Sequence, residues 1–213
     1  MIAHEWANVN KKCLFSKSGV FDGGYLRIKR GRKKYTTCVK IRLSDKEKMF
    51  WWCAGGVLFT AILGTVLHFL YEWTGESGVV KPISAIDEST FQHMKIMYFP
   101  MLIFGAIQWC FLRHEKPCFW LVKLVGIMVA LTLIPTLFYT YNGAFGRSPD
   151  WLNITIFMVS AIGGYGVEYL LFERKQEGNK WCNLAFLGVV ALGVLFVVFT
   201  YLPPDVPLFK SPV

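Results

Sequence analysis

His68 and Glu72 stand one helical turn apart near the end of an apolar run, and Asp87, Glu88, His93 and Lys95 follow at the start of the next. Imidazole nitrogen and carboxylate oxygen are donors that zinc accepts, so His68, Glu72, Glu88 and His93 form a candidate divalent-metal set. A metal held there could activate water for hydrolysis. Histidine also changes charge near neutral pH, which suits His68 and Glu72 to a proton relay, with Lys95 holding an anion. The same groups could instead form a structural polar lock, Glu88 with Lys95 and His68 with Glu72. Tyr139 and Tyr141 complete the candidate polar site. No HExxH or GxSxG spacing accompanies these residues, so the pattern locates a site without naming a reaction.

The surroundings make the cluster unusual. Of 213 residues, 54% are hydrophobic and 17% charged, whereas a soluble domain carries charge on about a quarter of its residues. Five apolar runs, at 49–73, 91–112, 119–141, 151–172 and 182–202, approach or exceed the roughly 20 residues that cross a bilayer as helix. Lipid offers no partner for backbone N–H and C=O groups, which leaves helices or barrel strands. Barrel strands alternate apolar and polar residues; these runs are apolar on every face. The expected fold is an all-α integral membrane protein, a five-transmembrane-helix bundle spanning 49–213 behind a basic cytoplasmic tail at 1–48. Trp73, Tyr141, Trp151, Trp181 and Tyr201 mark the run ends, as interfacial aromatic belts do.

The formal charge of +9 is concentrated in the tail, which holds 13 of the 23 Lys and Arg residues, including the block at 29–34. Basic flanks stay in the cytoplasm. With the N-terminus inside and the C-terminus outside the cell membrane, 19 Lys and Arg fall on the inner side and 4 on the outer, Lys123 counted as inner. The cysteines follow the same division. Cys13, Cys38, Cys53, Cys110, Cys118 and Cys182 all fall in the tail or towards inner helix ends, where thiols stay reduced, and they read as free thiols. The tail reads as largely disordered and able to dock on anionic lipid head groups, at about 1 kcal/mol per basic residue. It carries no motif for nucleic acid.

Along the chain, Ser44 and Glu47 have capping-box spacing at the start of the first helix. Thr60, Gly64 and His68 share one face, which small residues allow to pack closely, and this turns His68 into the bundle. Ser84 and Asp87 suit a second helix start. Pro100 and Pro135 should interrupt the ladders of helices two and three. The small residues of the fourth helix suit close packing, with dimerisation one use for such faces. Glu168 lies near that helix's inner end, where it would reach the interface or pair with Arg174. Pro203, Pro204 and Pro207 favour an extended exit.

Several segments carry a resemblance: HFLYEWTG at 68–75, DESTFQHMKIMYFPM at 87–101, YTYNGAFGRS at 139–148, WLNI at 151–154 and FTYLPPDVPLF at 199–209. Together they resemble a family of small bacterial multi-pass membrane proteins described as a domain of unknown function. In that family's pattern the second segment more often reads N-E-S-x-x-E-H-x-K; here Asp87 and Gln92 stand at the first Asn and the second acid. The resemblance covers about 50–210 and implies the five-helix fold, but no activity. The expected function is small-ligand or ion binding or transport, or a polar lock, at the outer ends of helices one and two. The alternative is a metal-dependent membrane-embedded hydrolase acting on lipid or envelope substrates.

Overall fold

The computed structural model of the protein describes residues 25–28, 37–40, 44–113, 116, 118–146, 149–174 and 180–211. The basic block at 29–34, most of the tail with Cys13, and Arg147 and Lys175 lie outside the described residues. Two short strands within the tail, β1 (Tyr25–Ile28) and β2 (Thr37–Lys40), pair antiparallel with Tyr25 opposite Lys40 and Ile28 opposite Thr37.

From residue 44 on, the described residues form five long helices: α1 (Asp45–Trp73), α2 (Thr90–Leu112), α3 (Phe119–Phe145), α4 (Asp150–Glu173) and α5 (Lys180–Tyr201). All five are long and apolar enough to cross a membrane. Their apolar character on every face follows from a backbone that satisfies itself internally while the side chains meet either each other or an apolar surround. Large side chains remain exposed along these helices, among them Leu58, Ile62, Ile154, Ile162 and Val194.

Each boundary has a local cause. α1 stops in a Schellman motif, in which Glu76 N–H donates to Tyr71 O at 2.9 Å and Gly75 N–H to Glu72 O at 3.0 Å. Gly75 has a φ of 65°, the left-handed conformation the motif requires. α2 begins later than Ser84 and Asp87 suggest. Ser84 turns its hydroxyl back to Val80 O at 2.8 Å, and Asp87 Oδ1 accepts from Ser89 N–H at 2.8 Å. That Asx turn makes Ser89 the N-cap of α2 and leaves Glu88 in the turn, outside the helix. α3 ends at Gly146, whose N–H donates to Asn142 O at 2.8 Å.

Helix ends meet at two levels. At one, which we call the Glu88 end, Ala85 N–H donates to Leu67 O at 3.2 Å, and the turn of Pro207–Phe209 stacks Phe209 on Phe91 with ring centroids 4.3 Å apart. At the other, the Cys118 end, Met49, Leu112, Phe119, Val122 and Phe172 form one apolar cluster. Between them Met97, Tyr98, Met101, Ile127, Ala130, Ala161 and Tyr165 make the main core. Tyr98 donates its hydroxyl to Val189 O at 2.7 Å, so α2 and α5 are joined through a buried polar contact.

Candidate functional site

At the Glu88 end three candidate residues converge. His68 comes from the last turns of α1, Glu88 from the turn before α2, and His93 from the first turn of α2. His68 Nε2 lies 3.4 Å from Glu88 Oε1 and His93 Nε2 lies 3.7 Å from Glu88 Oε2. One ligand atom from each lies within 4.8 Å of the others. Two ligands held about 2.1 Å from a tetrahedral zinc stand roughly 3.4 Å apart, which the two histidine–Glu88 distances approach.

The His93 ring is oriented from behind. Its Nδ1 lies 3.0 Å from Ser89 O, one turn earlier. A carbonyl oxygen only accepts, so Nδ1 carries a proton; a ring with no second proton would present the bare lone pair of Nε2 to the Glu88 carboxylate. Two acceptors facing each other repel unless a proton or a metal ion lies between them. A backbone carbonyl that fixes the tautomer in this way is the usual support of a metal-ligating histidine. The two histidines are largely enclosed, at 23% and 18% side-chain exposure, while Glu88 is 64% exposed. The rings are thus packed into the protein, while the carboxylate faces outward.

The other candidates stand apart. Glu72 is exposed, and its carbonyl closes the Schellman motif one turn beyond His68. Lys95 is fully buried and does not pair with Glu88; its ammonium donates to Lys81 O at 3.0 Å and Thr200 Oγ1 at 3.1 Å, tying the first inter-helix loop to the end of α5. Tyr139 is exposed, and Tyr141 stacks on Phe145. Neither is among the residues that line the cavity at the cluster.

A groove of about 540 Å³ runs from the cluster between α1, α2 and α4. His68, Glu88, His93 and Asn153 line its polar end; Ala61, Gly64, Ile96, Phe157 and Met158 line the rest. Gly64 and Ile96 are buried and form the floor, while Thr65, Phe69 and Ile154 are exposed on the rim. A Cβ on Gly64 would lie 2.7 Å from Phe157 Cζ and 3.4 Å from Ile96 O. Pro100 has no N–H to offer that carbonyl one turn back, so it lacks its helical donor.

The model of the family of unknown function DUF6512 matches residues 40–213. The chain belongs to this family. No curated protein and no solved structure matches it.

This DUF6512 member has a second polar cluster that residue spacing did not disclose. Lys123 of α3 and Glu168 of α4 are both fully buried and joined at 2.8 Å, and the Lys123 ammonium also donates to Gln108 Oε1 at 3.0 Å. The same ammonium lies 4.8 Å from the centre of the Tyr165 ring, whose hydroxyl shares a 3.0 Å hydrogen bond with Thr60. Glu168 therefore reaches inward to Lys123, and Lys123 belongs to the bundle interior rather than to a basic flank. Sequence spacing pairs neither with the other: it sets Glu168 at the interface or with Arg174, and counts Lys123 with the inner basic residues. A usable signal was that a charge inside a membrane-length helix requires a partner and the two are of opposite sign. Gly126 makes the pairing sterically feasible, since a Cβ there would clash with Glu168 Cγ.

The cysteines need a correction. Cys53 and Cys110 are free thiols as expected, but Cys118 and Cys182 are joined by a disulfide, with Cα atoms 4.8 Å apart and 64 residues between them in sequence. No spacing motif marks such a pair. It arises because the starts of α3 and α5 meet at the Cys118 end.

Proposed function

We propose that this DUF6512 member is a multi-pass membrane protein that binds a divalent cation through His68, Glu88 and His93. The observation that supports this most directly is the convergence of His68 Nε2 and His93 Nε2 on the two carboxylate oxygens of Glu88, with His93 Nδ1 held by Ser89 O. Two neutral imidazoles and one carboxylate form a donor set suited to zinc. Glu72, included in the set by sequence spacing, is left out.

The test is equilibrium zinc binding to protein purified in detergent without chelator, read by metal analysis and calorimetry. One zinc per chain is expected, with affinity reduced at least about 10-fold in His93→Ala and Glu88→Ala and unchanged in Glu72→Ala. Absence of zinc, or equal binding in all four proteins, would favour the competing polar lock, in which Glu88 bridges two protonated histidines. Hydrolysis is a second reading: three protein ligands beside a groove would leave a tetrahedral ion one unfilled position, as in catalytic rather than structural zinc sites.

The orientation proposed with this reading places the Glu88 end outside and the Cys118 end in the cytoplasm, following the basic flanks. The Cys118–Cys182 disulfide weighs against it, since such bridges persist in oxidising compartments. A cysteine introduced at Ser77 should react with an impermeant thiol reagent in intact cells; labelling confined to inverted vesicles would reverse the orientation.

A further inference from the structure

We infer that the groove beside the cluster takes one acyl chain of an anionic lipid, with the headgroup seated at His68, Glu88 and His93. The inference rests on the metal reading above and names the class of molecule that would occupy the open coordination position.

Three observations converge on an amphiphile. The groove is polar at one end only. From Phe69 down to Ala61 it follows α1 for about 12 Å at 1.5 Å per residue, with its deeper half lined by Ala61, Gly64, Phe157 and Met158. Thr65 adds no free hydroxyl, because its Oγ1 donates to Ala61 O at 2.9 Å. At about 540 Å³ the space falls within the ordinary range for small-molecule sites, and its exposed rim opens sideways from the bundle, where a bilayer would supply acyl chains.

The polar end specifies the headgroup. A divalent ion held by one carboxylate and two neutral imidazoles keeps one net positive charge and an open position, which an anionic phosphate oxygen satisfies. Beside it, Asn153 Oδ1 is shielded from solvent and has no hydrogen-bond partner among the described residues. A buried acceptor of this kind calls for a donor. A headgroup carrying both an anionic phosphodiester and hydroxyls meets both demands; phosphatidylglycerol is the probe of that chemistry.

Native mass spectrometry of the detergent-purified chain, with and without saturating zinc, tests this using dioleoyl phosphatidylglycerol and dioleoyl phosphatidylcholine, which share acyl chains. One phosphatidylglycerol should be retained in zinc, at least tenfold more than phosphatidylcholine. Ala61→Trp, which fills the deep half of the groove, should reduce that retention at least tenfold while zinc binding stays at one per chain. Unchanged zinc binding also shows that the variant is folded, and Met158→Trp repeats the test from the opposite wall. Equal retention of both lipids, or full retention in both tryptophan variants, would mean surface lipid only and overturn the inference. Zinc bound without lipid would overturn it and leave the metal site standing. No zinc in the wild-type chain would overturn both, and the separate zinc measurement shows which failed first.

Discussion

His93 Nδ1 donates to the Ser89 carbonyl at 3.0 Å, which fixes the imidazole with Nε2 towards Glu88. The consequence is a pH-dependent metal affinity of predictable sign. A proton and a metal ion compete for the same lone pair, so acidification weakens binding. Zinc affinity should fall as the solution is acidified from neutral pH and recover on return. Calorimetry over that titration checks this; affinity that rises on acidification would remove the histidines from the ligand set.

Lys123 and Glu168 make a sharper prediction about stability. Removing one partner leaves a buried uncompensated charge, at a cost of about 3–5 kcal/mol, whereas replacing both with apolar groups is often neutral. Lys123→Met and Glu168→Leu should each lower the thermal midpoint in detergent strongly, and the double variant should regain most of the loss. Additive losses would mean that the two side chains act separately.

Lys95 should act as a brace, not as a ligand. Lys95→Met removes the ammonium's hydrogen bonds to Lys81 O and Thr200 Oγ1, which at the rate for charged donors contribute about 1.5–3 kcal/mol each. Hydrogen exchange should accelerate around 81–85 and near 200, while zinc affinity remains within about twofold. A large loss of zinc affinity with unchanged exchange would place Lys95 at the site itself.

The cysteines are checked by differential alkylation. Cys110 should label without denaturant, Cys53 only after unfolding, and Cys118 and Cys182 only after reduction. Free labelling of Cys118 under oxidising purification would contradict the bridge.

The helices were legible because hydropathy over twenty or more residues is a local signal: four of the five begin within two residues of the start of their apolar run, although the capping residues placed the second helix too early, and α1 begins at Asp45 instead of 49. The cluster was legible in its residue types, His68, Glu88 and His93, but not in its selection. His68 and Glu72 do share a face; what sequence spacing could not show is that the Schellman turn ends the helix at that point and carries the 74–89 loop back, so Glu88 arrives instead. Lys123 and Glu168 were each read against near sequence neighbours, a basic flank and Arg174. Their meeting depends on how α3 and α4 are rotated about their axes, information that lies in the packing of both helices.

The stacking of Phe209 on Phe91 makes the last described turn of the chain a handle on the site. Phe91 lies two residues before His93, at the start of the same helix. Deleting Pro207–Phe209, or crowding it with a fused tag, would loosen the first turn of α2 and with it the Ser89–His93 hydrogen bond. A variant shortened by those few residues could then resemble a ligand mutant while every ligand is intact, so purification tags belong elsewhere on the chain.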